Sequence, residues 1–273
     1  MTAKSPTFLI KRAFAETSRG QIHYRSAGNG EPILMLHQTP RSSDEFVDVM
    51  PIFAKHHFRS IAMDTLGYGD SYIPLRNNTT IQDFASVAIE LLDSLGIERA
   101  HIVGHHTGAV IAIEIASQYP ERVEKLVLSA APYVNVERRN KIMNRPSVDK
   151  VEIKHDGSHL TELWRIRTSF YPKNRPDLLA RFVLDALKAK ENMELGHHIV
   201  ASYSVPERLS LIRASTLVMC GTEDPYSYPD LWKIANGIER SKVVEVKGGM
   251  VPIVDQMPEE FSKHVTSFLS NKI

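Results

Sequence analysis

The chain of 273 residues contains a single cysteine, Cys220. One thiol excludes an intrachain disulfide and a thiolate metal cluster, and it suits a reducing compartment. An excess of charge of one sign is also missing, since 33 basic residues face 32 acidic ones for a formal net charge of +1. That balance offers no field for nucleic acid or for an anionic membrane, so neither is expected as a partner. No apolar run approaches the roughly 18 residues that a membrane span needs, and the opening "MTAKSPTFLIKRAFAE" lacks the apolar core of a signal peptide. The expectation is a soluble, cytoplasmic protein. With 42% apolar residues, the chain can bury a core large enough for one sizeable domain or one domain with an insertion.

What is present is an alternation of short β-branched runs with helical patterns, which predicts an α/β fold with a mostly parallel central sheet flanked by helices. "TFLIKRAFAE" and "GQIHYRSAG" read as an opening hairpin joined around Thr17-Ser18-Arg19-Gly20. "PILMLHQ", "FRSIAMD", "AHIVGH", "VEKLVLSAA", "STLVMCG" and "KVVEVKG" read as further strands. A helix is expected from near Ser42-Ser43-Asp44, a second over "TIQDFASVAIELLDSLG" with its terminal Gly as a left-handed cap, and a last one from Pro258. Between about Pro132 and Leu211 no strand pattern occurs, while "HLTELWRIRTSF" and "RPDLLARFVLDALKAK" have helical spacing. The expected organisation is a first core part over 1–132, a helical lid over 133–210 and a second core part over 211–273.

Five segments carry a resemblance. "LHQTP" at 36–40 resembles an H-G-x-P oxyanion loop, "AMDTLGYGDS" at 62–71 a D-x-x-G-x-G-x-S turn, and "GHHTG" at 104–108 a G-x-S-x-G nucleophile elbow. "LVMCGTEDPYSYP" resembles the strand and loop presenting a triad acid, at Asp224, and "VKGGMVPIVDQMPEEF" a G-H-x-P ending. In this order, with a helical insertion at the matching place, they resemble a lidded member of the α/β-hydrolase superfamily over roughly residues 20 to 270. The fold that the resemblance implies is the α/β-hydrolase fold.

The departures bear on the chemistry. Gly104 and Gly108 are kept, but His106 stands at the nucleophile position. Met250 aligns with the general-base histidine, with an offset to Gly249 or Val251 also open. Gln38 replaces the oxyanion-loop glycine and adds an amide near a bound carbonyl. Asp224 alone survives of the usual triad. The standard serine mechanism needs a histidine to accept the hydroxyl proton, so it is removed. Thr107 lies one residue beyond the apex and is expected to point into the helix start as a cap. Cys220 and Ser129 sit at strand ends, the former as a buried small side chain and the latter with no base in view.

Three roles remain open for His106: a covalent acyl-imidazole, a general base or donor without covalent chemistry, or a relic in a silent site. The positive end of the following helix disfavours an imidazolium there. A relocated pair of His106 with Asp224, with Met250 packed beside it, is the arrangement expected. His37 reads as a structural hydrogen-bonder at the edge of the substrate site, and His105 as packed beneath it. Spacing among His37, His105 and His106 matches no metal pattern, so neither a metal nor another cofactor is expected. "GYGDSY" lacks the third glycine of a dinucleotide turn. His155, His159, His197 and His198 lie in the lid segment with Trp164, Arg165 and Tyr203. His159 and Trp164 are candidate contacts for a small carbonyl-bearing or anionic ligand, although both also suit ordinary lid surface.

Two functions follow as expectations. One is a cofactor-independent enzyme acting on a small carbonyl compound by ester, lactone or carbon–carbon hydrolysis or a related lyase step, through non-serine chemistry centred on His106. The other is a silent hydrolase homologue that binds a small ligand or a protein partner.

Overall fold

The structure, a computed structural model, describes residues 9–71, 78–144 and 148–271. The first eight residues, half of the stretch read above for a signal peptide, lie outside the described residues. Among the described residues eight strands form one sheet: β1 (Lys11–Thr17), β2 (Gly20–Ala27), β3 (Glu31–Leu36), β4 (Phe58–Met63), β5 (Ala100–His105), β6 (Val123–Ser129), β7 (Ser215–Gly221) and β8 (Ser241–Val246). They lie in the order β1-β2-β4-β3-β5-β6-β7-β8. β1 and β2 pair antiparallel through a tight turn in which Thr17 faces Gly20, and β2 also runs antiparallel to β4. From β4 to β8 every pairing is parallel.

Period-two alternation divides the strand side chains between two apolar layers. On β3, Ile33 and Met35 pack with Phe46, Phe53, Phe261 and Val265, so that side is covered by α1 (Met50–Lys55), α10 (Ile253–Gln256) and α11 (Pro258–Ser270). Leu34 and Leu36 face the other side, which is covered by α2 (Ile81–Ser94), α3 (Thr107–Gln118) and α9 (Leu231–Asn236). α2 opens on a reciprocal cap between Thr80 and Asp83, and Gly96 just beyond it has a φ of +67° that a side chain would resist. α3 is buried all round from Thr107 to Ala116, which explains an apolar sequence without a polar face. The helix expected from Ser42 is instead a short 3-10 turn, Ser43–Phe46, capped by the Ser42 hydroxyl, and the chain re-forms a helix only at Met50.

Between β6 and β7 the described residues form helices and no strand: α4 (Val136–Met143), α5 (Ser158–Arg167), α6 (Pro176–Ala189), α7 (Asn192–Ser202) and α8 (Pro206–Leu209). They are tied to the core by buried polar groups. Tyr203 donates to Glu114 Oε2 on α3, and Arg208 pairs with the same carboxylate at 3.3 Å. The fully buried Arg41 donates through Nε to Asp185 of α6 at 2.8 Å and through Nη1 to Asp255 of α10 at 2.7 Å.

Removing one member of such a group leaves the others charged and dry, which costs about 3–5 kcal/mol. Arg41→Met is therefore expected to lose about that much unfolding free energy in urea titrations. Adding Asp185→Asn and Asp255→Asn should recover part of it; an Arg41→Met variant as stable as wild type would show that the network does not hold the helices down.

Candidate active site

Strand β5 ends at His105 and α3 begins at Thr107, so His106 alone makes the turn. Its backbone, φ 47° and ψ −109°, is strained for a residue with a side chain and costs of order 1–3 kcal/mol. Close packing enforces it. A Cβ on Gly104 would lie 2.2 Å from the Gly108 carbonyl oxygen, and one on Gly108 would lie 1.9 Å from that of Leu36. Strand and helix meet with no room for side chains, and the apex residue is thrown outward.

The His106 ring stands at the C-terminal ends of the parallel strands, where open α/β sheets bind ligands. Nε2 lies 2.9 Å from Asp224 Oδ2 on the loop after β7. The N–H is off the ideal hydrogen-bond line, and neither atom has an aligned partner elsewhere among the described residues, so the contact is a close electrostatic one. Nδ1 lies 3.3 Å from the Ser227 hydroxyl. Asp224 is buried, and burial by itself raises a carboxyl pKa. His106 and the backbone N–H groups of Tyr226 and Ser227, at 2.9 and 3.1 Å from Oδ1, outweigh it and hold the group below its ordinary value. Asp224 is ionised at neutral pH.

His105, one residue earlier, is a different case. Its Nε2 lies 2.9 Å from the Val251 carbonyl, which can only accept, so that nitrogen carries the proton. Nδ1 then accepts from the Ser129 hydroxyl at 3.0 Å, which gives Ser129 a base that the sequence reading did not see. Complete burial first, and the neighbouring His106 second, push the His105 pKa down to about 3. The neutral ring packs edge-on against His106 with centroids 4.6 Å apart and limits how that ring can turn.

The remaining candidates divide. Gln38 and Thr107 line a cavity of about 90 Å³ with His106, Thr39, Val251 and Ser227. The Gln38 backbone N–H and side-chain amide both donate to buried Glu45, at 3.0 and 2.6 Å. Thr107 does not cap its helix; its hydroxyl accepts from the Thr39 N–H at 3.3 Å and ties the elbow to the 37–40 loop. His37 is turned away from the cavity: its Nε2 accepts from the Thr65 N–H at 2.9 Å, so Nδ1 bears the proton and donates to the Gln38 carbonyl at 2.8 Å. Met250, expected to pack beside His106, is not among the residues that line the cavity. Gly221 and Gly249 pack so closely that a Cβ on Gly221 would lie 2.2 Å from the Gly249 carbonyl oxygen, and Val251 is the residue that lines the cavity. Trp164 and His159 do not line it either. Both lie on α5, where Trp164 is 36% exposed and His159 Nδ1 accepts from the Lys154 N–H at 3.2 Å.

Several lining residues escaped the sequence reading. Arg138 and Arg167 reach the cavity from the helices after β6, beside His197, which the sequence reading had placed in the lid segment. His197 Nε2 lies 2.6 Å from buried Asp149, which also receives the Arg167 guanidinium. Arg138 pairs with Asp230 and donates through Nη2 to the Tyr226 carbonyl at 2.8 Å. Ser227 had one legible signal, its place three residues after Asp224, where a carboxylate accepts the local backbone N–H groups.

A family model described as alpha/beta hydrolase fold matches residues 31–204, and the chain belongs to that family. It is 29% identical over 226 positions, 75% of each chain, to 2-hydroxy-6-oxo-6-phenylhexa-2,4-dienoate hydrolase of Comamonas testosteroni. It is 35% identical over 113 positions, 41% of this chain and 39% of the relative, to haloalkane dehalogenase 2 of Mycobacterium tuberculosis. The enol-lactonase of Burkholderia xenovorans LB400 superposes with a TM-score of 0.79 at 21% identity, covering 95% of this chain and all of that one.

The depressed His105 pKa sets a sign for acid unfolding. Between pH 6.5 and about 3 the unfolded chain takes up a proton at His105 that the folded state refuses. The stabilising contribution of the neutral ring is thus complete above pH 6.5 and falls as the pH drops, by up to about 1.4 kcal/mol per pH unit. The unfolding free energy of wild type minus that of His105→Gln, measured from pH 7 to 4, should decline with that slope; a flat difference would show that His105 titrates normally.

Proposed function

We propose that this chain is a cofactor-independent enzyme acting on a small carbonyl compound, by ester, lactone or carbon–carbon bond hydrolysis or a related proton-transfer step, with its chemistry centred on His106 and not on an elbow serine. The observation that carries the reading is the 2.9 Å separation of His106 Nε2 and Asp224 Oδ2 at the edge of the cavity. An ionised carboxylate at that distance favours the proton on Nε2, which leaves the Nδ1 lone pair free to accept one. Asp224 then stabilises the imidazolium formed when His106 takes a proton, and opposes the positive end of α3, which disfavours it. The helices between β6 and β7 act as a lid whose Arg138, Arg167 and His197 complete the pocket. The name of the Comamonas relative supports a 2-hydroxy-6-oxodienoate, or another carbonyl compound carrying an acid group, as the substrate class.

One observation favours the second reading, a silent homologue that binds a small ligand. The backbone N–H groups of Gln38 and Thr39, in the loop that resembles an oxyanion loop, are occupied by Glu45 and Thr107. Hydrolysis on this site therefore requires other donors at the developing oxyanion, and the Thr107 N–H at the start of α3 is one that has no acceptor within its helix.

A panel of p-nitrophenyl esters, small lactones and 2-hydroxy-6-oxo-6-phenylhexa-2,4-dienoate separates the two. The enzyme reading expects His106→Ala to lower kcat by a factor of roughly 10² to 10⁴, and Asp224→Asn by a factor on the order of ten or more with folding preserved. Turnover in His106→Ala equal to wild type, or no turnover of any member by wild type, would favour the ligand-binding reading.

A further inference from the structure

We infer that Ser227 is the hydroxyl that His106 activates, so that His106, Asp224 and Ser227 form a serine–histidine–acid triad rebuilt away from the elbow apex. The inference rests on His106 acting as a base and adds the group it acts on. Ser227 Oγ lies 3.3 Å from His106 Nδ1, while Nε2 of the same ring lies 2.9 Å from Asp224 Oδ2. With the proton drawn to Nε2, Nδ1 can meet the Ser227 hydroxyl only as an acceptor. Compared with the usual triad, the two ring nitrogens have exchanged roles.

Ser227 is 1% exposed and lines the cavity, so it sits beside the pocket and is shielded from bulk water. Its backbone is anchored, because its N–H donates to Asp224 Oδ1 at 3.1 Å, and acid and hydroxyl are held on one short loop. A positive charge sits alongside. Arg138 lines the same cavity and donates to the carbonyl of Tyr226, the residue before Ser227, at 2.8 Å. Its two Nη atoms are engaged by Asp230 and by the Tyr226 carbonyl, so the guanidinium fixes the loop that carries Ser227.

The chemistry balances without a cofactor. Ser227 Oγ bonds to the carbonyl carbon of an ester or lactone as its proton passes to His106 Nδ1, and the carbonyl π electrons move to oxygen. Collapse of this intermediate breaks the bond to the leaving oxygen, which takes the proton from the imidazolium. Water then adds to the acyl-serine by the same route, with His106 accepting its proton and returning one to Ser227 Oγ.

The test is intact-mass spectrometry of the full-length protein treated with diisopropyl fluorophosphate, for wild type, Ser227→Ala and His106→Ala, with thermal melts to establish folding. Serine attack at phosphorus expels fluoride and hands the proton to His106, so wild type should gain one diisopropylphosphoryl group that peptide mapping places on Ser227. Ser227→Ala should gain none, and His106→Ala should label at least tenfold more slowly. Ser227→Ala keeps the backbone N–H that holds Asp224, so a fall of a hundredfold or more in its kcat on the ester and lactone panel reads the hydroxyl and not the loop. If that variant fails to fold, the mapped adduct and the His106→Ala labelling rate decide the matter. No adduct on wild type, an adduct elsewhere, or wild-type turnover by folded Ser227→Ala overturns the inference. The underlying reading fails separately, when His106→Ala turns over the panel as wild type does.

Discussion

The site depends on a steric constraint at residues 104–108. Strand β5 runs into α3 with one residue between them, and the backbone of Gly108 fills the space that a side chain on Gly104 would need. With both flanks closed, the apex residue has a single course, outward over the strand ends at positive φ. Whatever residue stands there is presented to the pocket. In this chain it is an imidazole, which is longer than a serine side chain and spans from the elbow to the loop after β7. The departure at 106 thus alters the reach of the presented group while leaving the scaffold as it is, and the acid loop is close enough to meet it.

Two adjacent histidines show how local surroundings set opposite characters. His105 points into the sheet, has both ring nitrogens satisfied by neutral partners and is kept uncharged by burial. His106 points out, retains 14% of its side-chain exposure and faces an ionised carboxylate. Identical side chains one residue apart meet different surroundings according to which side of the strand end they occupy. The neutral ring also packs edge-on against the other, so the first histidine helps to orient the second.

Around this pair the protein buries more charge than an apolar core would tolerate without pairing. Arg41 joins Asp185 and Asp255, Glu45 receives both donors of Gln38, and Asp149 receives Arg167 and His197. The first two link a core loop to another loop or to the helices after β6, and the third ties parts of that helical segment to one another. Buried ion pairs add little net stability, but their geometry admits few alternatives, so they fix how those helices sit above the strand ends. The cavity wall is a product of that placement, since Arg138, Arg167 and His197 all come from the helical segment.

The order of strands and helices was legible in the sequence because alternation, helical spacing, caps and glycine turns are local patterns, and local physics sets them. The same holds for His106 at the elbow and Asp224 after β7, which are marked by their neighbours Gly104, Gly108 and the strand "LVMCG". The 3-10 turn at Ser43–Phe46 was not legible, because a serine cap announces a helix start without fixing how its turns are wound. Nor were the contents of the pocket. Which of Gly249, Met250 and Val251 faces His106 depends on the approach of Gly249 to Gly221, a contact between segments 28 residues apart. His37 left the site because the backbone N–H of Thr65 claimed its free nitrogen, and Trp164 and His159 because α5 turns them away from the cavity. Ser227 and Arg138 entered it because a loop and a helix distant in sequence meet at the Tyr226 carbonyl. Sequence alone determined the scaffold and its apex residue, since periodicity and sterics act within a few residues. Tertiary structure decided the company that residue keeps, because hydrogen bonds and cavity walls are made between segments whose separation no local pattern records.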